Sequence, residues 1–262
     1  AAVGELSTDR FECVFLAPSE GRLADALSRR GLEHVPLSLH DGEGRRLPRE
    51  SACARIRDTV GCARPDLVHA NSLSMGRLTG SMAGELEVPT VAHLRDHVGL
   101  SGGAIADLNR NRRLLAVSRA TRDFHVAAGL DGTKVQVLHN GVDCERFRPR
   151  AAGRLRDELG LAPETFLAAT VGQIGLLKGQ DVLAEAAASL ADELPDVHYL
   201  LVGERNSRKL ESVRFEKEVV EAFRGAEMID RLHRLGYRDD VARLMNEVDL
   251  LVHPARPQPL GR

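Results

Sequence analysis

A chain of 262 residues with 43% hydrophobic and 28% charged side chains has the composition of a folded globular protein, not of a disordered one. Its length suits two small domains better than one core. The net charge of −2, from 36 basic and 38 acidic residues, excludes a global field directed at nucleic acid.

The cysteines, Cys13, Cys53, Cys62 and Cys144, form no C-x-x-C pair and keep no zinc-finger spacing to histidine. They read as reduced, structural thiols and suit a cytoplasmic compartment. No apolar run approaches the ~20 residues of a membrane span, no signal peptide is visible, and peripheral membrane contact has no residue in its support. The chain opens Ala1-Ala2-Val3-Gly4 and closes Pro259-Leu260-Gly261-Arg262, so both ends read as cut.

In chain order, Cys13-Val14-Phe15-Leu16 predicts a strand, followed by a helix through Leu23–Leu27 that stops at Gly31. Further strands are expected at Asp66–His69, Pro89–His93, Leu114–Val117 and Val135–Leu138. Between the second and third of these, Asn109-Arg110-Asn111-Arg112-Arg113 reads as a solvated helix face in preference to a phosphate site. Strand–helix alternation of this kind predicts a parallel sheet covered by helices on both faces.

After Val135-Gln136-Val137 the pair Asn140-Gly141 is a strong two-residue turn signal, and Phe147 with Pro149 would pin the departing chain. The stretch Phe147–Gly153 is the expected domain boundary, with residues 1–149 as the first domain and 150–262 as the second. Alternation then restarts. A buried strand is expected at Phe166–Val171 and a helix over Asp181–Leu194, with Asp181 as N-cap and Pro195 as terminator. Tyr199–Val202 and Asp249–Val252 are the remaining strands.

The loop Gly172-Gln173-Ile174-Gly175-Leu176-Leu177-Lys178-Gly179 lies between a predicted strand and a predicted helix. Glycines there let backbone amides approach a ligand, and the helix N-terminus favours an anion. Lys178 adds a full positive charge. The spacing is not that of a P-loop, and alone the segment reads as an ordinary glycine-bearing connection.

Several strings together resemble the retaining GT-B family known as glycosyltransferase family 4. The NGVD-then-F-x-P string resembles its domain-linking segment, which makes Asn140, Gly141 and Asp143 an interdomain hinge. Gly172, Lys178 and Gly179 resemble its G-R-x-x-x-x-K-G loop, whose arginine and lysine hold the donor diphosphate. Ala116-Val117-Ser118, Gly129 and Lys134-Val135 match its lead into NGVD. Gly203 and Glu204 fall where donor contacts are usual. Gly236–Val241, with Arg238, resembles the segment facing the nucleobase, and Asp249–Pro254 the strand before the catalytic loop.

The departures are specific. Gln173 replaces the family's arginine, and a glutamine supplies no charge. Gln258-Pro259-Leu260-Gly261 stands where the family has E-x-F-G, so Gln258 takes the first glutamate's place and the second falls beyond Arg262. The family's first strand and glycine-rich loop have no counterpart.

The resemblance implies two Rossmann-like doubly wound parallel-sheet domains (GT-B), both incomplete at the chain ends. It implies transfer of a hexose from a nucleotide diphosphate sugar to a hydroxyl acceptor with retention. The donor would face Gly172, Gln173, Lys178, Gly203, Glu204, Arg238 and Gln258 to Gly261, that is Gln258, Pro259, Leu260 and Gly261. His93 or Arg95, in the string HLRDH, would reach the reacting sugar, with Gln258 as the third catalytic candidate. His69 reads as structural.

His93 and His97 at i, i+4 lack a third metal ligand. No Asp-x-Asp motif is present, so diphosphate charge would be met by Lys178, loop amides and a helix end, with neither metal nor cofactor. A non-enzymatic doubly wound binding module has no positive signal in the sequence, and two further alternatives stay open. One is an inactive or incomplete GT-B chain that binds nucleotide without turnover; the other is a different GT-B enzyme such as a nucleotide-sugar epimerase.

Overall fold

Apolar runs of strand length become parallel strands joined by helical crossovers throughout the computed structural model, which describes residues 10–151 and 153–256. Two compact units divide in sequence between Gly141 and Val142.

In the first unit β1 (Phe15–Ala17) leads through α1 (Arg22–Ser28) to β2 (His34–Pro36), its parallel partner. After α2 (Arg49–Ala63) comes a parallel sheet made of β3 (Val68–Ala70), β4 (Thr90–Leu94), β5 (Arg113–Ala116) and β6 (Val135–Val137), in that order. The crossovers are α3 (Leu73–Ser81), α4 (Gly102–Asn109) and α5 (Arg119–Ala127).

Each crossover starts where a serine caps it. Ser72 Oγ accepts from Met75 N at 3.2 Å, Ser101 Oγ from Ala104 N at 3.3 Å, and Ser118 Oγ from Thr121 N at 3.1 Å. Those bonds satisfy amides that the first turn leaves orphaned.

Ala92 and Leu94 of β4, Leu114 and Ala116 of β5 and Leu108 of α4 share one buried cluster. Ile56 and Val60 of α2 meet Leu78 and Met82 in a second. Helix α3 lies close to its neighbours: a Cβ at Gly80 would stand 2.0 Å from the Asp107 carbonyl oxygen, and one at Gly76 2.5 Å from the Ala92 Cβ.

The second unit contains α6 (Leu155–Leu159), β7 (Phe166–Val171), α7 (Gln180–Ser189), β8 (Val197–Val202), α8 (Leu210–Gly225), β9 (Leu232–Gly236), α9 (Val241–Leu244) and β10 (Leu250–Leu251). Its sheet order is β10-β7-β8-β9, all parallel. Successive residues of β8 point to opposite faces, and both faces are buried. Tyr199 and Leu201 join the cluster holding Leu183, Phe215 and Phe223, while Leu200 and Val202 join Leu155 and Leu244. Burial on both faces fits the largely apolar sequences of β7 and of β8 from Tyr199 to Val202.

Four expectations are corrected. Gly179, at φ +69°, caps α7 in place of Asp181, because that backbone conformation suits glycine. Helix α7 ends at Ser189, well before Pro195. Asn140-Gly141 makes no turn: among the described residues no antiparallel strand returns beside β6, and the chain runs on to a turn at Cys144–Arg146. Asp143 Oδ1 holds that turn by accepting from Glu145 N and Arg146 N at 3.0 and 2.9 Å. The basic run is not a helix face either. It is the α4–β5 connection, where buried Asn111 donates to the Gly76 and Leu108 carbonyls, both at 2.9 Å. Strands β2 and β9 were not expected; each mixes apolar residues with His, Pro or Arg.

Candidate active site

The C-terminal strand ends of the second unit are knitted together by backbone. Gly172 N donates to the Val202 carbonyl at 2.8 Å, Ile174 N to the Glu204 carbonyl at 3.1 Å, and Gly203 N to the Gly236 carbonyl at 2.7 Å. A Cβ at Gly203, where φ is +139°, would stand 2.0 Å from the Gly172 carbonyl oxygen. Only glycine permits this approach.

The stem of Lys178 lies along Gly172, 3.7 Å from where a Cβ would be. Gly172, Lys178, Gly203 and Glu204 are thus brought together, with Gln173 exposed at their edge.

Two further residues shape this loop. Gln180, 1% exposed, accepts from Gly175 N at 3.2 Å and donates to the Gln173 carbonyl at 3.0 Å. Arg256, on the segment after β10, forms a two-pronged pair with Asp181 at 2.6 and 3.0 Å. Its backbone N also donates to the Leu177 carbonyl at 3.2 Å. Bonding to Arg256 holds the Asp181 carboxyl below the usual carboxylate range.

A Cβ at Gly179 would stand 2.0 Å from the Pro254 carbonyl oxygen, so the β7–α7 loop and the post-β10 segment pack without a gap. Sequence reading missed Gln180 and Arg256. The only available signal for Gln180 was an amide side chain directly after the glycine that starts a helix. Arg256 and Asp181 are too distant in sequence to show a pairing pattern.

Arg238 is placed differently. Its guanidinium is bound to Asp240 by two bonds of 2.8 Å and reaches Glu158 at 3.4 Å, so its charge is directed to an internal ion cluster. The Asp240 carboxyl is held well below its usual range by Arg238 first and then by Arg243. Gln258, Pro259, Leu260 and Gly261 lie outside the described residues.

In the first unit, His93 is the fourth residue of β4 and is 5% exposed. The rings of His69 and His93 stack with centroids 5.7 Å apart. An Arg95 guanidinium nitrogen lies 3.3 Å from His93 Nδ1. Because a guanidinium can only donate, Nδ1 accepts and the neutral ring carries its proton on Nε2. That Nε2 is buried and has no partner, so it is a donor left unsatisfied within the fold.

Burial, then Arg95 and His69, push the His93 imidazole down to about 4; His69 is lowered by burial and Arg95. His97 stands apart, bonded to Thr121 Oγ1 at 3.0 Å and stacked on Phe124 at 4.9 Å. Among the described residues no cluster of three His, Cys, Asp or Glu side chains could hold a metal ion. Nor is any described helix long and apolar enough to cross a membrane.

The low His93 value has a consequence for stability. Below its ordinary value of 6.5 the unfolded chain takes up a proton that the folded chain refuses until about 4. Stability contributed by this group is therefore complete above pH 7 and falls as pH drops through that window. Urea unfolding at pH 7 and pH 5 should show wild type losing about 2 kcal/mol more than His93→Gln. Equal losses in the two proteins would remove the buried neutral imidazole from the account.

Comparison with known proteins agrees with this architecture. The profile for Glycosyltransferase Family 4 matches residues 2–146, and that for Glycosyl transferases group 1 matches residues 166–262. A D-inositol 3-phosphate glycosyltransferase of Mycobacterium ulcerans is 33% identical over 131 residues, 50% of this chain and 27% of the relative. One of the same name from Streptomyces bingchenggensis is 29% identical over 197 residues, 65% of this chain and 43% of the relative. The matched parts thus span less than half of these relatives' lengths.

Among solved structures, Anabaena Alr3699/HepE in complex with UDP-glucose has a TM-score of 0.79 at 22% identity, covering 95% of this chain and 68% of that one. A glycosyltransferase from Rickettsia africae gives 0.77 at 17% identity, covering 95% and 66%. These likenesses bear on fold, which is the two-domain composition of GT-B proteins. The profile matching residues 2–146, more than half of the chain, assigns the rest: the chain belongs to glycosyltransferase family 4.

Proposed function

We propose that the protein is a retaining, metal-independent glycosyltransferase that moves a hexose from a nucleotide diphosphate sugar to a hydroxyl acceptor. The observation that carries this reading is the strand-end loop of the second unit. Gly172 and Gly203 bring two strand ends into backbone contact, and Lys178 lies over Gly172 beside the start of α7. A diphosphate there would meet loop amides, a helix N-terminus and an ammonium, which together neutralise charge without a divalent ion.

His93, with a proton on a partnerless Nε2, supplies a neutral donor for a sugar hydroxyl in the first unit. Arg95 keeps that tautomer. The solved complex of Alr3699/HepE with UDP-glucose supports a uridine diphosphate sugar as the first donor to try, and the names of the curated relatives support a polyol acceptor. In this reading Asn140, Gly141 and Asp143 form the extended link between the acceptor-side and donor-side domains, and the protein acts in the cytoplasm.

Gln173 and Gln258, each replacing a charged residue of the family pattern, favour a second reading, nucleotide binding without turnover. One assay separates the two. The chain is incubated with UDP-glucose and with glycerol and inositol acceptors, each free and as its phosphomonoester, with and without EDTA, and the product's anomeric proton coupling is read by NMR. Retaining transfer insensitive to EDTA supports the first reading. UDP binding without product supports the second, and an inverted or EDTA-abolished product would refute the mechanism.

A further inference from the structure

A concavity of about 280 Å³ in the first unit is lined by Arg46, Arg49 and Arg77, with Ser74 beside them and Leu39, Leu47 and Leu78 as an apolar base. It lies where the chain passes from β2 into α2 and from β3 into α3. That is the carboxyl end of the strands, where parallel α/β sheets take ligands. Its volume is near the lower end for small-molecule sites, roughly 300 Å³, so it suits a headgroup and not a long chain.

The sequence places the arginines there by local chemistry. Asp41 closes a turn by accepting from Glu43 N and Arg45 N at 3.0 and 2.9 Å, and His40 bridges Arg46 across it. Arg45 spends its charge on Asp41 and Glu43, each at 2.9 Å, whereas Arg46 lines the concavity. Ser74, Arg77 and Leu78 share one face of α3, and Arg49 stands at the start of α2.

Charge then decides the ligand. Arg49 is compensated by Asp107, 2.6 Å away. No acid lines the concavity, Arg46 and Arg77 have no ion pair among the described residues, and the Arg77 Nε is buried without a partner. Two positive charges remain over an apolar base. A phosphomonoester, at about −1.5 to −2 near pH 7, matches that count, and its oxygens match the forked guanidinium geometry. A carboxylate would leave one charge over.

We infer that this concavity binds the phosphomonoester of a small phosphorylated polyol through Arg46 and Arg77. As the acceptor's subsite it rests on the proposed glycosyl transfer; as a phosphate site it stands without it.

Calorimetric titration of the 262-residue chain with glycerol 3-phosphate, glycerol and UDP tests both layers. Glycerol 3-phosphate should bind and glycerol should not. Arg46→Gln and Arg77→Gln should each weaken glycerol 3-phosphate by roughly tenfold or more, with Arg46→Gln leaving UDP unchanged. Arg46 is exposed, so its variant stays informative if Arg77→Gln fails to fold. Arg112→Gln, elsewhere on the unit, should have no effect. Absence of binding, an equal loss in Arg112→Gln, or no loss in Arg46→Gln would overturn the site. Binding of glycerol 3-phosphate with none of UDP would uphold the site and count against the donor reading alone.

Discussion

Lys178→Ala is expected to weaken nucleoside diphosphate binding by roughly 1–3 kcal/mol, or about 5- to 150-fold in Kd, the scale of a lost charge-assisted hydrogen bond. The lysine is half-buried, and its stem already lies along Gly172, so little side-chain entropy is lost when it closes on a diphosphate. With Gln173 in place of the family's arginine, Lys178 is the principal full charge on the loop, and its removal has no close substitute. Titrations with UDP, GDP and ADP check this. Unchanged affinity for whichever binds would remove the diphosphate clamp.

Gly179→Ala should damage the same region through the backbone. A methyl group there would stand 2.0 Å from the Pro254 carbonyl oxygen, on a residue at φ +69°. A left-handed residue with a Cβ costs about 1–2 kcal/mol, and forcing apart two packed backbone segments about 1–3 more. The post-β10 segment is anchored here by Arg256 as well as by this contact, so it should detach from α7. Thermal unfolding is expected to begin on the order of 10 °C earlier, with loss of UDP binding. Gly153→Ala, where nothing stands within 4 Å, should do neither. Equal melting of the two variants would contradict the close packing.

Much of the fold was legible because its strands are long enough or apolar enough to declare themselves. Phe166–Val171 appears with the expected bounds, since both its faces are buried and no polar residue interrupts it until Thr170. Strand β9 was hidden because His233 and Arg234 sit among its apolar residues, and a mixed five-residue run does not announce parallel pairing. Asn140-Gly141 misled for a related reason: the pair signals a hairpin only where a second strand returns, and among the described residues β6 has no antiparallel partner.

The candidate site divides in the same way. Glycine spacing and the family pattern identified Gly172, Lys178 and Gly203, because backbone close approach restricts residue type locally. They could not foresee the stacking of His69 on His93, which depends on β3 and β4 lying side by side. Arg238 illustrates the opposite limit. Its position in the pattern was visible, but its commitment to Asp240 and Glu158 depends on how α6 and α9 fold beside it.

Hydrogen exchange of the chain with and without UDP tests the central claim most directly. The account predicts slowed exchange confined to amides of the Gly172–Asp181 loop and the Gly203–Arg205 connection, with Lys178→Ala abolishing the effect. Protection absent from both segments at saturating UDP, or centred on β6 or the ion cluster around Asp240, would contradict it.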